Sequence, residues 1–177
     1  KERAFSEGDL CDAKTAHCMA MLLHPLDDHL NDNDLQVTHL VLLLRSQAWL
    51  IMINAVQRLA GTVENGPEIV RDFIDRYYSG VCGPRVTDSL DRYCAMFRKE
   101  MATWLIVPAL LMKKMSITDE AGETILSGYE SFGIAWRLLD DINDMEADIK
   151  KDVRSSVYCA LSEDGRRMWH KLLTVGN

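Results

Sequence analysis

Glycine and proline are scarce in this chain, with 10 and 4 copies among 177 residues. Several sit together, at Gly61, Gly66-Pro67, Gly80 and Gly83-Pro84, and punctuate long stretches that hold no breaker. No segment alternates apolar and polar residues over strand length, so a β-sheet is not expected. The five cysteines, Cys11, Cys18, Cys82, Cys94 and Cys159, form no CxxC pair and are odd in number. This pattern predicts free, mostly buried thiols in a reducing, cytoplasmic compartment. Basic residues are not in excess: 20 Lys and Arg stand against 27 Asp and Glu, a net charge of −7. That balance argues against nucleic acid as the main partner. Internal repeats and low-complexity linkers are also missing, and no signal peptide is expected. The chain opens at Lys1 without a methionine and is expected to be a portion of a longer one. Its 177 residues suffice for a single domain, 1–177, with its own core.

What is present is helical periodicity. Helices are expected over 9–31, 36–60, 67–79, 88–115, 119–149 and 162–173, with breaks at the glycines and at Ser116. Thr118 is a candidate N-cap, followed by Asp119 and Glu120 in the first turn, where the helix dipole favours acids. Pro108 is expected to kink the fourth helix. The most apolar run, THLVLLLRSQAWLIMINAV, is interrupted by Arg45, Gln47 and Asn54. It reads as a buried helix rather than a transmembrane segment. Long helices with short connections predict an all-α bundle, with Trp49, Trp104 and Trp136 in its interior.

The chemistry lies in the acids. In LLDDINDMEADIK, Asp140, Asp144 and Asp148 are each four residues apart and form one row on a helix, with Asp141 beside it. Like charges at that spacing cost about 0.2–0.5 kcal/mol per pair, and no lysine interleaves before Lys150. A solvated acidic face and a cation-neutralised row both fit this stretch alone. A second cluster, HPLDDHLNDND, places Asp27 and Asp28 ahead of Asn31 and Asp32. Both clusters follow an apolar run. Without Asp27, Asp28, Asp32, Asp34, Asp140, Asp141, Asp144 and Asp148, 19 acids face 20 bases, so the acidity is local. Oxygen-only donors at this density suit Mg²⁺, which is commonly shared between carboxylates and substrate phosphates. His17, His24 and His29 lie near the first cluster, but the Glu-x-x-His motif of di-iron bundles is absent. His17 and His24, seven apart, read as packed on one helix face.

With these residues the sequence resembles the trans-isoprenyl diphosphate synthases (polyprenyl synthetases) and their terpene-cyclase relatives, the class I isoprenoid synthase superfamily. LDDHLND resembles the family's first DDxxD motif, and GIAWRLLDDIND resembles the second with its preceding Gly-x-x-Phe-Gln. Gly133 is kept there, with Trp136 for the Phe and Arg137 for the Gln. KEMATWLIVP, Lys99 to Pro108, resembles the diphosphate-binding helix, with Glu100 in place of the family's Thr. DIKKDVRSS resembles the basic loop after the second motif. The likeness covers about residues 16 to 156.

The resemblance implies an isoprenoid synthase-type helical bundle around a central apolar cavity. It implies two or three Mg²⁺ ions, bound with the substrate diphosphate by Asp27, Asp28, Asp32, Asp140, Asp141 and Asp144. Asp27, Asp28, Asp140, Asp141 and Lys99 would be catalytic, ionising an allylic prenyl diphosphate. Lys99, Arg137, Lys150, Lys151 and Arg154 would contact the diphosphate. Leu22, Leu23 and Trp136, with Met19 and Trp104, would line the cavity. Leu22 and Leu23 occupy the positions where the family sets product length, and they provide no aromatic floor for the shortest products. Isopentenyl diphosphate is the implied second substrate, and a homodimer the implied assembly. Three departures matter: the Arg-Arg that follows the family's first motif has no counterpart in DNDLQVTH, the family's N-terminal Gly-Lys and Arg would lie ahead of Lys1, and the stretch between Asp34 and Lys99 is short for the family. That leaves a one-substrate terpene synthase as the alternative enzyme. A non-catalytic subunit of a heteromeric prenyl synthase and an all-α nucleotide pyrophosphohydrolase are the remaining readings.

Overall fold

The computed structural model describes residues 5–31, 34–83 and 88–175. Among them the chain is all-α, with nine helices and no strand. They are α1 (Glu7–Asn31), α2 (His39–Ala60), α3 (Gly66–Val81), α4 (Leu90–Glu100), α5 (Ala102–Lys114), α6 (Asp119–Asn143), α7 (Met145–Lys151), α8 (Ser156–Ala160) and α9 (Glu163–Val175). The chain divides into two compact units, one of Lys1–Arg76 with Met101–Leu126, the other of Tyr77–Glu100 with Ser127–Asn177.

The first unit is built on an α1–α2 hairpin. Ala13, Ala16, Ala20 and Leu23 form the buried stripe of α1, and small side chains let α2 approach closely. Asp27 pairs with Arg45 near the connection and Asp12 with Arg58 at the far end, so the two helices run antiparallel. Thr38 starts α2 by accepting a 3.2 Å hydrogen bond from the Val41 amide at its hydroxyl. Helix α5 packs on both and is buried from Ala102 through Val107 and at Ala109 and Leu110. At its end Lys114 reaches Asp9 at 2.6 Å, both side chains being largely enclosed. Ser6 and Thr62 also donate to that carboxylate. Together these contacts hold the Asp9 carboxyl far below the ordinary range, the Lys114 bond being the largest cause.

The second unit has its interior at Tyr93 and Phe97 of α4, Ile134 of α6, Tyr158 and Cys159 of α8, and Trp169 of α9. Helix α4 packs on α8, and α7 on α9. Gly80 lies against the end of α4, where an added Cβ would come within 2.8 Å of the Lys99 Cβ.

Several expectations are corrected. The helix expected over 88–115 is two helices, divided at Met101, whose backbone turns out of the helical region (φ −82°, ψ 4°). Pro108 lies inside α5, as expected, and burial of the residues on either side outweighs its one missing hydrogen bond. The helix expected over 119–149 breaks at Asp144, and α8 is an unforeseen short helix. Thr118, by contrast, caps α6 as expected, accepting from the Ala121 amide. The apolar run of α2 is buried on one face only: Ala48, Met52, Ala55 and Val56 are buried, whereas Leu40, Leu43, Leu44, Leu50 and Ile51 are exposed. By length and composition α2 is able to cross a membrane, and 22% of its most apolar window is buried. Trp136 is 63% exposed rather than interior. Trp104 is buried and Trp49 half-buried. Cys11, Cys18 and Cys82 are exposed, Cys94 is half-buried and Cys159 is buried; none of the five forms a disulfide.

Candidate functional site

The first acidic cluster closes α1 in the first unit. Asp27 is gripped by Arg45 through two parallel bonds, Nε to Oδ1 at 2.7 Å and Nη2 to Oδ2 at 2.9 Å. This is the planar fork that guanidinium makes with carboxylate. Arg45 also lies 5.8 Å from the Trp49 ring, one turn further along α2. Asp28 is half-buried, and Asp32 lies outside the described residues. After the helix the backbone folds back, with the amides of Asp34 and Leu35 donating to the His29 carbonyl. Leu23 is buried while its neighbour Leu22 is exposed, so the two expected cavity positions point to different surroundings. His24 meets the Trp104 ring edge-on at 4.7 Å, and half-buried His17 is held below its ordinary pKa by desolvation. Both behave as packed side chains of α1.

The second cluster closes α6 in the second unit, and its four carboxylates differ. Asp141 is buried and turned inward. It pairs with Arg137 one turn earlier at 3.1 Å and accepts from the Ser156 amide at 2.9 Å. Arg137 donates in turn to the Tyr93 hydroxyl at 2.9 Å and lies over the Phe97 ring. Burial pushes the Tyr93 phenol well above its ordinary value, so it is a neutral hydrogen-bonding group. Asp140 and Asp144 are exposed and one turn apart. Asp148 is half-buried. Its carboxyl is raised by desolvation first and by repulsion from Asp141 and Asp144, against a lowering bond from Ser155.

The expected diphosphate contacts scatter within this second unit. Lys99 is exposed at the end of α4. Lys150 pairs with Glu146 at 2.7 Å on α7, and Lys151 beside it is exposed. Arg154 is exposed and stacks over Tyr158 at 5.2 Å. Arg137 is committed inward. Phe132, Trp136 and Leu139, three and four residues apart, form an exposed apolar stripe along α6 leading to Asp140.

Asp27 and Asp141 present carboxylates already held by guanidinium. Among the described residues no three His, Cys, Asp or Glu side chains form a group able to hold a metal ion.

Arg45, Tyr93 and Ser156 are the functional neighbours that sequence reasoning missed. Arg45 carried a signal: it breaks an apolar run and stands opposite an acid in an α1–α2 hairpin. A Glu-x-x-Glu pair, Glu120 and Glu123, also opens α6. Glu123 lines a cleft of about 620 Å³ together with Glu68, Asp72 and Asp119, and none of the motif aspartates lies there. No family model matches the chain, and no curated protein or solved structure matches it.

Proposed function

We propose that this chain is a Mg²⁺-dependent enzyme of the trans-prenyltransferase type, ionising an allylic prenyl diphosphate. One observation carries the reading. Both aspartate motifs sit at the C-terminal ends of 25-residue helices, α1 and α6. A helix dipole favours cations there, by about 0.3–1 kcal/mol per charge. Yet the last turn of α6 holds no basic residue and that of α1 only His29. Arg45 and Arg137 answer one acid in each motif from within the chain; in this reading metal ions answer the remaining charge at these disfavoured ends.

In this reading each motif offers its own carboxylates to metal, the first through Asp28 with Asp27 and Asp32, the second through Asp140 and Asp144. Bound Mg²⁺ supplies charge neutralisation for a leaving diphosphate. The chain's own cations, Lys99, Lys150, Lys151 and Arg154, donate to diphosphate oxygens. Arg137 acts as a positioning residue: it holds Asp141 and Tyr93, and through them the end of α6. Phe132, Trp136 and Leu139 offer aromatic and aliphatic surface beside Asp140, and an aromatic face stabilises a cation.

The test is pyrophosphate release from geranyl, farnesyl and geranylgeranyl diphosphates with Mg²⁺, with and without isopentenyl diphosphate, using Asp140→Ala as the control. Release that needs isopentenyl diphosphate and lengthens the product supports the prenyltransferase. Release without it, giving a hydrocarbon or alcohol, makes the chain a terpene synthase, which the lack of arginine in DNDLQVTH favours. No release from any substrate overturns both and leaves the non-catalytic subunit.

A further inference from the structure

Phe132, Trp136, Leu139 and Ile142 of α6 are 69%, 63%, 54% and 59% exposed. They recur every three or four residues and so lie along one face of the helix. Single exposed apolar residues are ordinary, whereas a contiguous apolar patch with a polar rim marks an interaction surface. Gly128 and Ala135 lie exposed beside the stripe, and small side chains allow a second helix to approach closely. The opposite face of α6 is already used: Ile134 and Asp141 are buried. Charge on the stripe has one sign. Asp140 and, one turn on, Asp144 are exposed at its end. Arg137 is the single basic residue of α6, and it is turned to Asp141 and the Tyr93 hydroxyl. A second copy of α6 therefore brings no base to the acidic end, and an anionic lipid surface is repelled by it. What complements the stripe is a helix with an apolar face and basic flanks.

We propose that this face of α6 is a docking surface for a basic amphipathic helix of a partner protein. Apolar residues of the partner, spaced at helical intervals, cover Phe132, Trp136 and Leu139. Its lysines or arginines meet Asp140 and Asp144, which sets the direction in which the helix lies. Trp136 is the anchor, because a large aromatic at the centre of an apolar contact carries most of its strength. The inference goes beyond the enzyme reading and needs neither metal nor diphosphate. It supplies a cover for a stripe that is otherwise open to water.

The test is fluorescence anisotropy of two labelled synthetic helices of about 20 residues, titrated with the full chain. Both carry leucine along one face; the other positions are lysine and alanine in one peptide, glutamate and alanine in the other. The lysine peptide should bind about ten-fold more tightly than the glutamate peptide. Trp136→Ala should weaken its binding about ten-fold, and Phe132→Ser should act in the same direction. Asp140→Asn combined with Asp144→Asn should weaken it about three- to ten-fold and reduce its salt dependence. Leu43→Ser, on the exposed face of α2, should leave binding unchanged. Circular dichroism checks that each variant keeps its helix content. Equal affinity for the two peptides overturns the proposal. So does loss of binding with Leu43→Ser but not with Trp136→Ala, or a chain that binds neither peptide. Pyrophosphate release by the chain alone bears on the enzyme reading and not on this one, so the two fail separately.

Discussion

Asp140 and Asp141 are adjacent in sequence and opposite in circumstance. Asp140 is exposed, whereas Asp141 is buried against Arg137 and the Ser156 amide. Removing one partner of a buried, hydrogen-bonded pair costs about 3–5 kcal/mol. Asp141→Ala should therefore lower unfolding free energy by about 3 kcal/mol, measured by urea denaturation. Asp140→Ala should stay within about 0.5 kcal/mol of wild type while abolishing pyrophosphate release. Equal destabilisation by the two would refute the inward role of Asp141. Asp9 offers a pH test. Its carboxyl is held far below the ordinary range by Lys114, so the folded state keeps it ionised when the unfolded chain takes up a proton. Its stabilisation is complete above the ordinary aspartate value, about 3.9, and is lost as pH falls toward the depressed folded value. Asp9→Asn should cost about 3 kcal/mol at pH 7. It should also flatten the loss of stability below about pH 4, followed by circular dichroism across an acid titration. The motif aspartates were legible in sequence because clustered acids stand out. Which of them turns inward was not, because Tyr93 and Ser156 lie 48 and 15 residues away from Asp141 in the chain.

Helix boundaries are local events, and most were readable. Thr118 caps α6, Gly61 ends α2 and Ser116 takes a left-handed φ of 57° between α5 and α6. Missed breaks have another origin. Met101 and Asp144 are not helix breakers by type, and the turns there come with burial of Met101 and with repulsion among crowded acids. Two glycines separate local from tertiary demands. At Gly66 an added Cβ would strike the Ala60 backbone carbonyl, whereas at Gly128, inside α6, nothing lies within 4 Å. Gly66→Ala should lose about 2 kcal/mol by overpacking, and Gly128→Ala should gain about 0.5–1 kcal/mol through helix propensity. Thermal unfolding reads both, and a gain at Gly66 would contradict the close approach of α3 to the end of α2.

A homodimer belongs to the same proposal as the activity, and α2 offers the surface for it. Leu40, Leu43, Leu44, Leu50 and Ile51 follow one helical stripe with Gln47 and Asn54 and without a charged residue. Arg45 and Arg58 of this helix are engaged within the chain. That leaves the stripe without the cations an anionic membrane surface attracts, and we propose that it meets the same stripe of a second copy. Light scattering should give a dimer, and Leu43→Glu should shift it to monomer with little loss of helix content; a wild-type monomer would count against this assembly. Sequence by itself determined the helical class, most of the breaks and the placing of two aspartate motifs. Each depends on periodicity and capping within a turn or two of chain. Only the tertiary structure decided that Arg45 holds Asp27, that Asp141 is buried while Asp140 is not, and that the most apolar helix keeps an uncovered face. Ion pairing and burial depend on residues distant in sequence, and no pattern along one helix records what stands opposite it.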